Sequence, residues 1–342
     1  MTVQTPAPMP QDFAARLLTW YDAHARDLPW RIAPGSTAAP DPYRIWLAEV
    51  MLQQTTVAAV AGYWQRFMAR WPTVADLAAA DDGDVMAAWA GLGYYARARN
   101  LLACARAVVA QHGGRFPDTE ADLHQLPGIG NYTAAAVAAI AFGRASVVVD
   151  ANVERVIARH ALIRDPLPAA KAAIRAALTP VVSADRPGDF AQGLMDLGAG
   201  ICSVRAPRCD LCPIAGDCAA RAAGCAESLP VKLPRKTKPQ RFGIAHWIEA
   251  DGRLWLERRP SAGLLGGMLA LPGDDWGAAE LPADAAALVR HSFTHFDLQL
   301  AVVRAPSSVN CMNGQWWPLN ALDAAGLPTL YRKAVDAMGV TQ

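Results

Sequence analysis

Four of the chain's seven cysteines fall in one short run, Cys202-x6-Cys209-x2-Cys212-x5-Cys218. An odd total and this density fit no disulfide framework, and in a reducing compartment such a run more often ligates metal. Structural zinc prefers two Cys-x2-Cys knuckles separated by a longer spacer, and only one knuckle is present. Four thiolates in one compact run suit a 4Fe–4S cluster better. A few buried free thiols remain the plainer alternative, and Cys104, Cys225 and Cys311 have no such spacing.

Two carboxylates are the other candidates. Glu49 sits in Ile45-Trp46-Leu47-Ala48-Glu49-Val50-Met51-Leu52, a mostly apolar helical stretch. Burial there raises a carboxyl pKa, as a general acid requires, whereas an isolated Glu on an amphipathic helix is commonly exposed. Asp150 closes Val147-Val148-Val149 and precedes a helix, where most aspartates act as an N-cap. Between them lies Leu126-Pro127-Gly128-Ile129-Gly130, set between two helical segments and followed by Asn131-Tyr132-Thr133. Gly128 and Gly130 permit a tight turn and a close backbone approach. The next helix directs its first N–H groups outward, a position that suits a phosphate.

These segments, with Glu49-Val50-Met51-Leu52-Gln53-Gln54-Thr55, Gly91-Leu92-Gly93-Tyr94-Tyr95 and Asp150-Ala151-Asn152-Val153, closely resemble the MutY-type adenine DNA glycosylases of the helix-hairpin-helix, endonuclease III superfamily. The resemblance runs from about residue 11 to 304. It implies a repair enzyme that flips out and hydrolytically removes adenine mispaired with 8-oxoguanine or guanine. By motif, Glu49 protonates the leaving adenine, Asp150 stabilises the oxocarbenium-like sugar and Asn152 supports the site. Gln54 and Tyr94 match wedge residues that occupy the duplex when a base is extruded. Trp30 and Arg31 match the adenine pocket, with Gln192 and Asp196 added in a looser register. The chemistry agrees, because N-glycosidic cleavage needs an acid for the base and negative charge beside the sugar, and the base must first leave the stack.

Tyr132 stands where the lyase branch of the superfamily has a Schiff-base lysine, and a tyrosine forms no such adduct. The resemblance therefore implies a monofunctional glycosylase. Two departures stand out: Ala151 replaces the usual glycine, and Pro34 to Pro40 reads as an insertion. The alternatives are an endonuclease III-type lyase acting on oxidised pyrimidines and a catalytically silent DNA-binding iron–sulfur protein. The latter predicts loss of one carboxylate, and both are present.

The elements that must position these residues follow from pattern. The fold expected is mainly α, with a 4Fe–4S loop, followed by a smaller α+β Nudix-like domain. Residues 1–228 read as the helical catalytic region, with a first helical pattern after Asp12 carrying Phe13, Leu17, Leu18 and Tyr21 on one face, and further helices near 44–70, 84–90, 95–112, 119–125, 132–142, 151–161, 169–182 and 189–200. Residues 229–241 carry five basic residues, three prolines and no acid, a semi-extended linker. Residues 242–342 change to short strands, with Asp251-Gly252 as a hairpin turn between 242–249 and 253–257, a strand at 298–304 and a helix at 329–338. His291-Ser292-Phe293-Thr294-His295-Phe296 resembles the family's lesion-reading loop, with Thr294 in place of serine. The glutamate-rich metal box of Nudix hydrolases is missing, so this part is expected to read a base rather than hydrolyse one.

At 53% hydrophobic and 18% charged, the chain is not intrinsically disordered. Its longest apolar run, Ala134 to Phe142, is far shorter than a membrane span. The start, Met-Thr-Val-Gln-Thr-Pro, lacks a secretory pattern, so a cytoplasmic, nucleoid-associated monomer is expected. A net charge of +1 leaves any DNA contact to local basic patches.

Overall fold

The computed structural model describes residues 9–234, 237–274, 276–277, 280–306 and 314–340. Cys311 and two basic residues of the expected linker, Arg235 and Lys236, lie outside them. Among the described residues twelve α-helices come first: α1 (Phe13–His24), α2 (Pro42–Leu52), α3 (Val57–Arg70), α4 (Val74–Ala78), α5 (Asp82–Trp89), α6 (Ala96–His112), α7 (Glu120–Leu123), α8 (Asn131–Phe142), α9 (Ala151–His160), α10 (Lys171–Leu178), α11 (Pro187–Gly200) and α12 (Ala219–Ala222). The described strands follow, β1 (Gln240–Ala250), β2 (Arg253–Arg258), β3 (Leu269–Ala270), β4 (Ala287–Ser292), β5 (Asp297–Ala305) and β6 (Gly314–Pro318), and then α13 (Thr329–Ala337). Among the described residues no helix is long and apolar enough to cross a membrane.

The helix expected over 44–70 is instead two. Gln54 adopts a left-handed backbone with φ of 57°. The Thr55 N–H closes the turn on the Leu52 carbonyl at 3.2 Å, and the Thr56 hydroxyl restarts the chain as α3 by accepting from the Ala59 N–H. No glycine or proline marks this break, so periodicity runs through it. The stretch 169–182 is shorter than expected, since Pro180 turns its end into a 3-10 turn, Thr179–Val181.

The chain divides into two compact units, residues to Ala75 with Cys104–Pro234, and Asp76–Ala103 with Arg235 onward. In the first, α8 is buried on nearly every side, and its alanines let neighbours approach closely. Phe13 and Leu17 of α1, Val153, Val156 and Ile157 of α9, and Phe190 and Leu194 of α11 build the core around it. A Cβ on Gly198 of α11 would lie 2.6 Å from the Asn152 Cβ, so the approach of α11 to the start of α9 requires glycine there.

In the second unit the strands form one mixed sheet ordered β3-β2-β1-β5-β4, with β6 also paired to β2. β1 and β5 run parallel, with Gln240 opposite Asp297 and Ile248 opposite Ala305. Asp251 and Gly252, both at positive φ, make the expected hairpin turn between β1 and β2. Residues 76–103 pack into the same unit: Met86 reaches Gly267, and Arg99 donates to the Gly266 carbonyl at 2.6 Å.

Candidate active site

α2 carries Glu49 into the interior because Ile45 to Met51 are all buried, and Glu49 itself is 5% exposed. The Tyr132 hydroxyl, from the first turn of α8, donates to its Oε2 at 2.7 Å. Burial raises the Glu49 pKa, and the Tyr132 hydroxyl and the Arg31 charge hold it back. The Tyr132 phenol is itself pushed well above its ordinary value, first by burial and then by Glu49 and Asp150. With Oε2 occupied, Oε1 is left to carry a transferable proton. A buried carboxyl whose pKa is raised in this way can act as a general acid.

Asp150 caps α9 through Oδ1, which accepts from the Val153 N–H at 2.7 Å. The Asn152 amide donates to its Oδ2 at 2.8 Å. Burial raises the Asp150 pKa while these donors and Arg155 oppose the rise. Asp150 is thus both the helix cap and a partly buried carboxylate oriented by fixed donors. Its charge is felt at Glu49, so the two carboxylates share one site. Ala151 opens α9 on the exposed side, so its extra Cβ faces solvent.

Arg31 is electrostatically coupled to Glu49 and Tyr132, and its Nη1 donates to Asp196 Oδ2 at 2.6 Å. The Arg26 Nε donates to the other oxygen of Asp196, Oδ1, also at 2.6 Å, and the Arg26 backbone N–H donates to Oδ2 at 3.1 Å. Asp196 is therefore consumed in holding two arginines. Trp30 is buried edge-on against Trp64, and Gln192 is buried on α11. Gln54 is exposed just past the end of α2. The residues of Pro34 to Pro40 form an exposed loop without regular structure.

The hairpin is confirmed as a turn between α7 and α8. Leu126 and Ile129 anchor it, and Gly128 needs its glycine for a φ of 73°. Gly130 has ordinary φ and open space around a built Cβ, so nothing inside the protein requires glycine there. It caps α8 without a side-chain acceptor, which leaves first-turn N–H groups for an external anion.

The four cysteines line one pocket together with Arg159, His160, Ile201 and Ile214. Among the described residues, no three His, Cys, Asp or Glu converge tightly enough for a single metal ion. Burial pushes the Cys212 thiol up to about 12, and Cys202, Cys218 and Cys209 add to the rise. Four thiols around one pocket, with Cys212 and Cys218 both pushed up by burial and by neighbouring cysteines, are a donor set of the kind a 4Fe–4S cluster takes.

Sequence reasoning missed the residues that join this loop to the carboxylates. Arg155 donates to Asn152 Oδ1 at 2.9 Å, to the Gly198 carbonyl at 2.7 Å and to the Cys202 carbonyl at 2.7 Å. Arg159, one turn on and 2% exposed, donates to Cys202 Sγ and to the Ser203, Val204 and Leu229 carbonyls. Arginines at i and i+4 among the apolar residues of one helix were the available signal.

In the second unit Tyr94 is 47% exposed at positive φ, and its hydroxyl accepts from Thr294 Oγ1 at 3.3 Å. The structure thus brings one expected wedge residue to the expected lesion-reading residue. Lys238 of the basic segment donates to the Phe293 carbonyl at 2.6 Å and to Ser292 Oγ, tying down the reading loop.

Residues 47–181 match the HhH-GPD superfamily of base excision DNA repair proteins, and residues 243–337 match the NUDIX domain. The adenine DNA glycosylase of Homo sapiens is 39% identical over 78% of this chain, a match spanning 58% of the human protein. That of Mycobacterium tuberculosis is 41% identical, covering 67% of this chain and 72% of its own length. The mouse match spans only 41% of that protein. Among solved structures, a thermostable thymine-DNA glycosylase superposes with a TM-score of 0.54 at 31% identity, over 62% of this chain and 95% of its own. A non-covalent endonuclease III–DNA complex, 22% identical with a TM-score of 0.51, shares the fold.

Proposed function

The chain belongs to the adenine DNA glycosylase family, and from that premise we propose that it extrudes and excises adenine mispaired with 8-oxoguanine or guanine in double-stranded DNA. The observation that carries this reading is the buried Glu49–Tyr132 pair beside the capped Asp150. Glu49 gives its proton to a ring nitrogen of the extruded adenine. The C1′–N9 bond breaks with its electron pair going to the base, and a cationic sugar remains. Asp150, held by the Val153 N–H and the Asn152 amide, supplies the opposing negative charge. Water then adds at C1′ and releases a proton. Tyr132 offers no amine, so the DNA strand stays intact.

Arg31, Trp30, Gln192 and Asp196 form the base pocket, with Asp196 acting through the arginines it holds. Gln54 and Tyr94 serve as wedges, and the N–H groups beyond Gly128 and Gly130 take a phosphate. Cys202, Cys209, Cys212 and Cys218 are the residues that would hold a 4Fe–4S cluster, which when bound ties the loop's four thiolates into one body. No step of base removal runs through it. Residues 1–228 supply the chemistry, 229–241 the linker, and 242–342 the Nudix-like reader of the opposite base through Thr294. The protein works as a monomer on DNA.

The test is single-turnover excision from duplexes containing 8-oxoguanine:adenine, guanine:adenine, guanine:thymine and thymine glycol. Adenine release from the first two, with strand scission only after alkali, is expected. Release of thymine or thymine glycol in its place, or borohydride trapping of a covalent complex, would overturn the reading.

A further inference from the structure

Glu49 lies on α2 and Gln53, four residues on, is the residue that ends it, and both side chains reach the start of α8. The facing residues are adjacent at the start of α8. Tyr132 donates to Glu49, and Thr133 accepts from Gln53 Nε2 at 3.1 Å. Thr133 is 1% exposed. Immediately beyond this pair, Gln54 takes a left-handed backbone conformation that residues with a Cβ seldom adopt. The bonds that hold the turn include Gln53 to Thr133, the Thr55 N–H to the Leu52 carbonyl, and the Thr55 hydroxyl to the Gln53 carbonyl. An exposed side chain on a strained, pinned turn is presented outward at a set angle.

We infer that Gln53 and Thr133 are positioning residues, a clasp between α2 and α8 that holds the turn from which Gln54 enters the duplex. The inference rests on the wedge role proposed for Gln54. Its physical content is that the helix carrying the acid and the helix carrying the phosphate-facing N–H groups are joined at two points, one for the proton and one for the wedge. Weakening the second point leaves Glu49 bonded to Tyr132 but lets the Gln54 turn relax toward ordinary backbone. Base extrusion then suffers before bond cleavage does.

The experiment uses the full chain and a duplex with 2-aminopurine opposite 8-oxoguanine, whose fluorescence rises when the base leaves the stack. Thr133→Val removes the acceptor and keeps the shape, Thr133→Ser keeps the hydroxyl, and Gln53→Met removes the donor from a half-buried site. At saturating protein, Thr133→Val and Gln53→Met should lower the extrusion equilibrium about tenfold, the factor one ordinary hydrogen bond supplies. Thr133→Ser should stay near wild type. If Thr133→Val fails to fold, Gln53→Met carries the comparison. Wild-type extrusion in the folded variants would overturn the inference, as would an equal loss in Thr133→Ser and Thr133→Val that tracks melting temperature. Failure of the wild-type chain to release adenine would instead count against the proposed function, so the two failures are distinguishable.

Discussion

In the acid role proposed for it, Glu49 is most useful with its proton on, the state that burial favours. Its raised pKa means that folding stabilises the protonated form. That contribution is present below the ordinary carboxyl value and is lost as pH rises through the folded-state pKa. Excision should therefore fall along an alkaline limb as Glu49 ionises, which a single-turnover pH–rate profile will show. Glu49→Gln has nothing to ionise and can still accept from Tyr132. It should slow excision at least about a hundredfold while melting higher than wild type near pH 7, by about 2–4 °C per kcal/mol recovered. A lower melting temperature would show that the carboxyl is not strained by burial. Tyr132→Phe removes a donor that holds the Glu49 pKa down. Its alkaline limb should move to higher pH and its plateau rate should drop; movement to lower pH would contradict the arrangement.

At the scale of elements, α9 and α11 determine where Asp150 points. Asp150 caps α9, Asn152 orients it, and Gly198 of α11 lies against Asn152 with no room for a Cβ. Gly198→Ala should displace Asn152, destabilise the protein by about 1–3 kcal/mol and reduce excision beyond what melting accounts for. Excision at the wild-type rate by a folded Gly198→Ala protein would show that the approach of these helices is not catalytically significant. Arg155 spans the same junction to the Cys202 carbonyl. The cysteine loop and Asn152, which orients Asp150, are consequently fastened to one guanidinium.

At the scale of the molecule, the compact units do not follow chain order. Residues 76–103 pack with the sheet: Met86 meets Gly267, Gly326 lies against Ala87, and Tyr94 bonds Thr294. Removing everything after Leu229 strips this segment of those partners. The truncated chain should show faster proteolysis within 76–103 and a lower melting temperature, detectable by limited digestion and calorimetry. Protection equal to that of the full chain would mean the segment is self-sufficient. Thr294→Ala is the gentler probe of reading. It removes the hydroxyl proposed to contact the base and should narrow the preference for 8-oxoguanine:adenine over guanine:adenine by about tenfold, measured as the ratio of single-turnover rates; an unchanged ratio would place the reader elsewhere.

Residue identity and short-range pattern were enough for much of this. Cysteine spacing, the Leu-Pro-Gly-Ile-Gly turn, the apolar setting of Glu49 and the Asp251-Gly252 hairpin are local statements, and helices and hairpins obey local rules. The break at Gln54 was illegible because a threonine cap and a strained residue leave the apolar period intact. Only the tertiary structure decided that Asp196 is spent on Arg26 and Arg31, that Arg155 and Arg159 reach the cysteine loop, that Gly198 makes room for Asn152, and that 76–103 joins the sheet. The physical reason is common to all four. Each depends on groups far apart in sequence meeting within a few ångströms, and packing, not period or propensity, selects which groups meet.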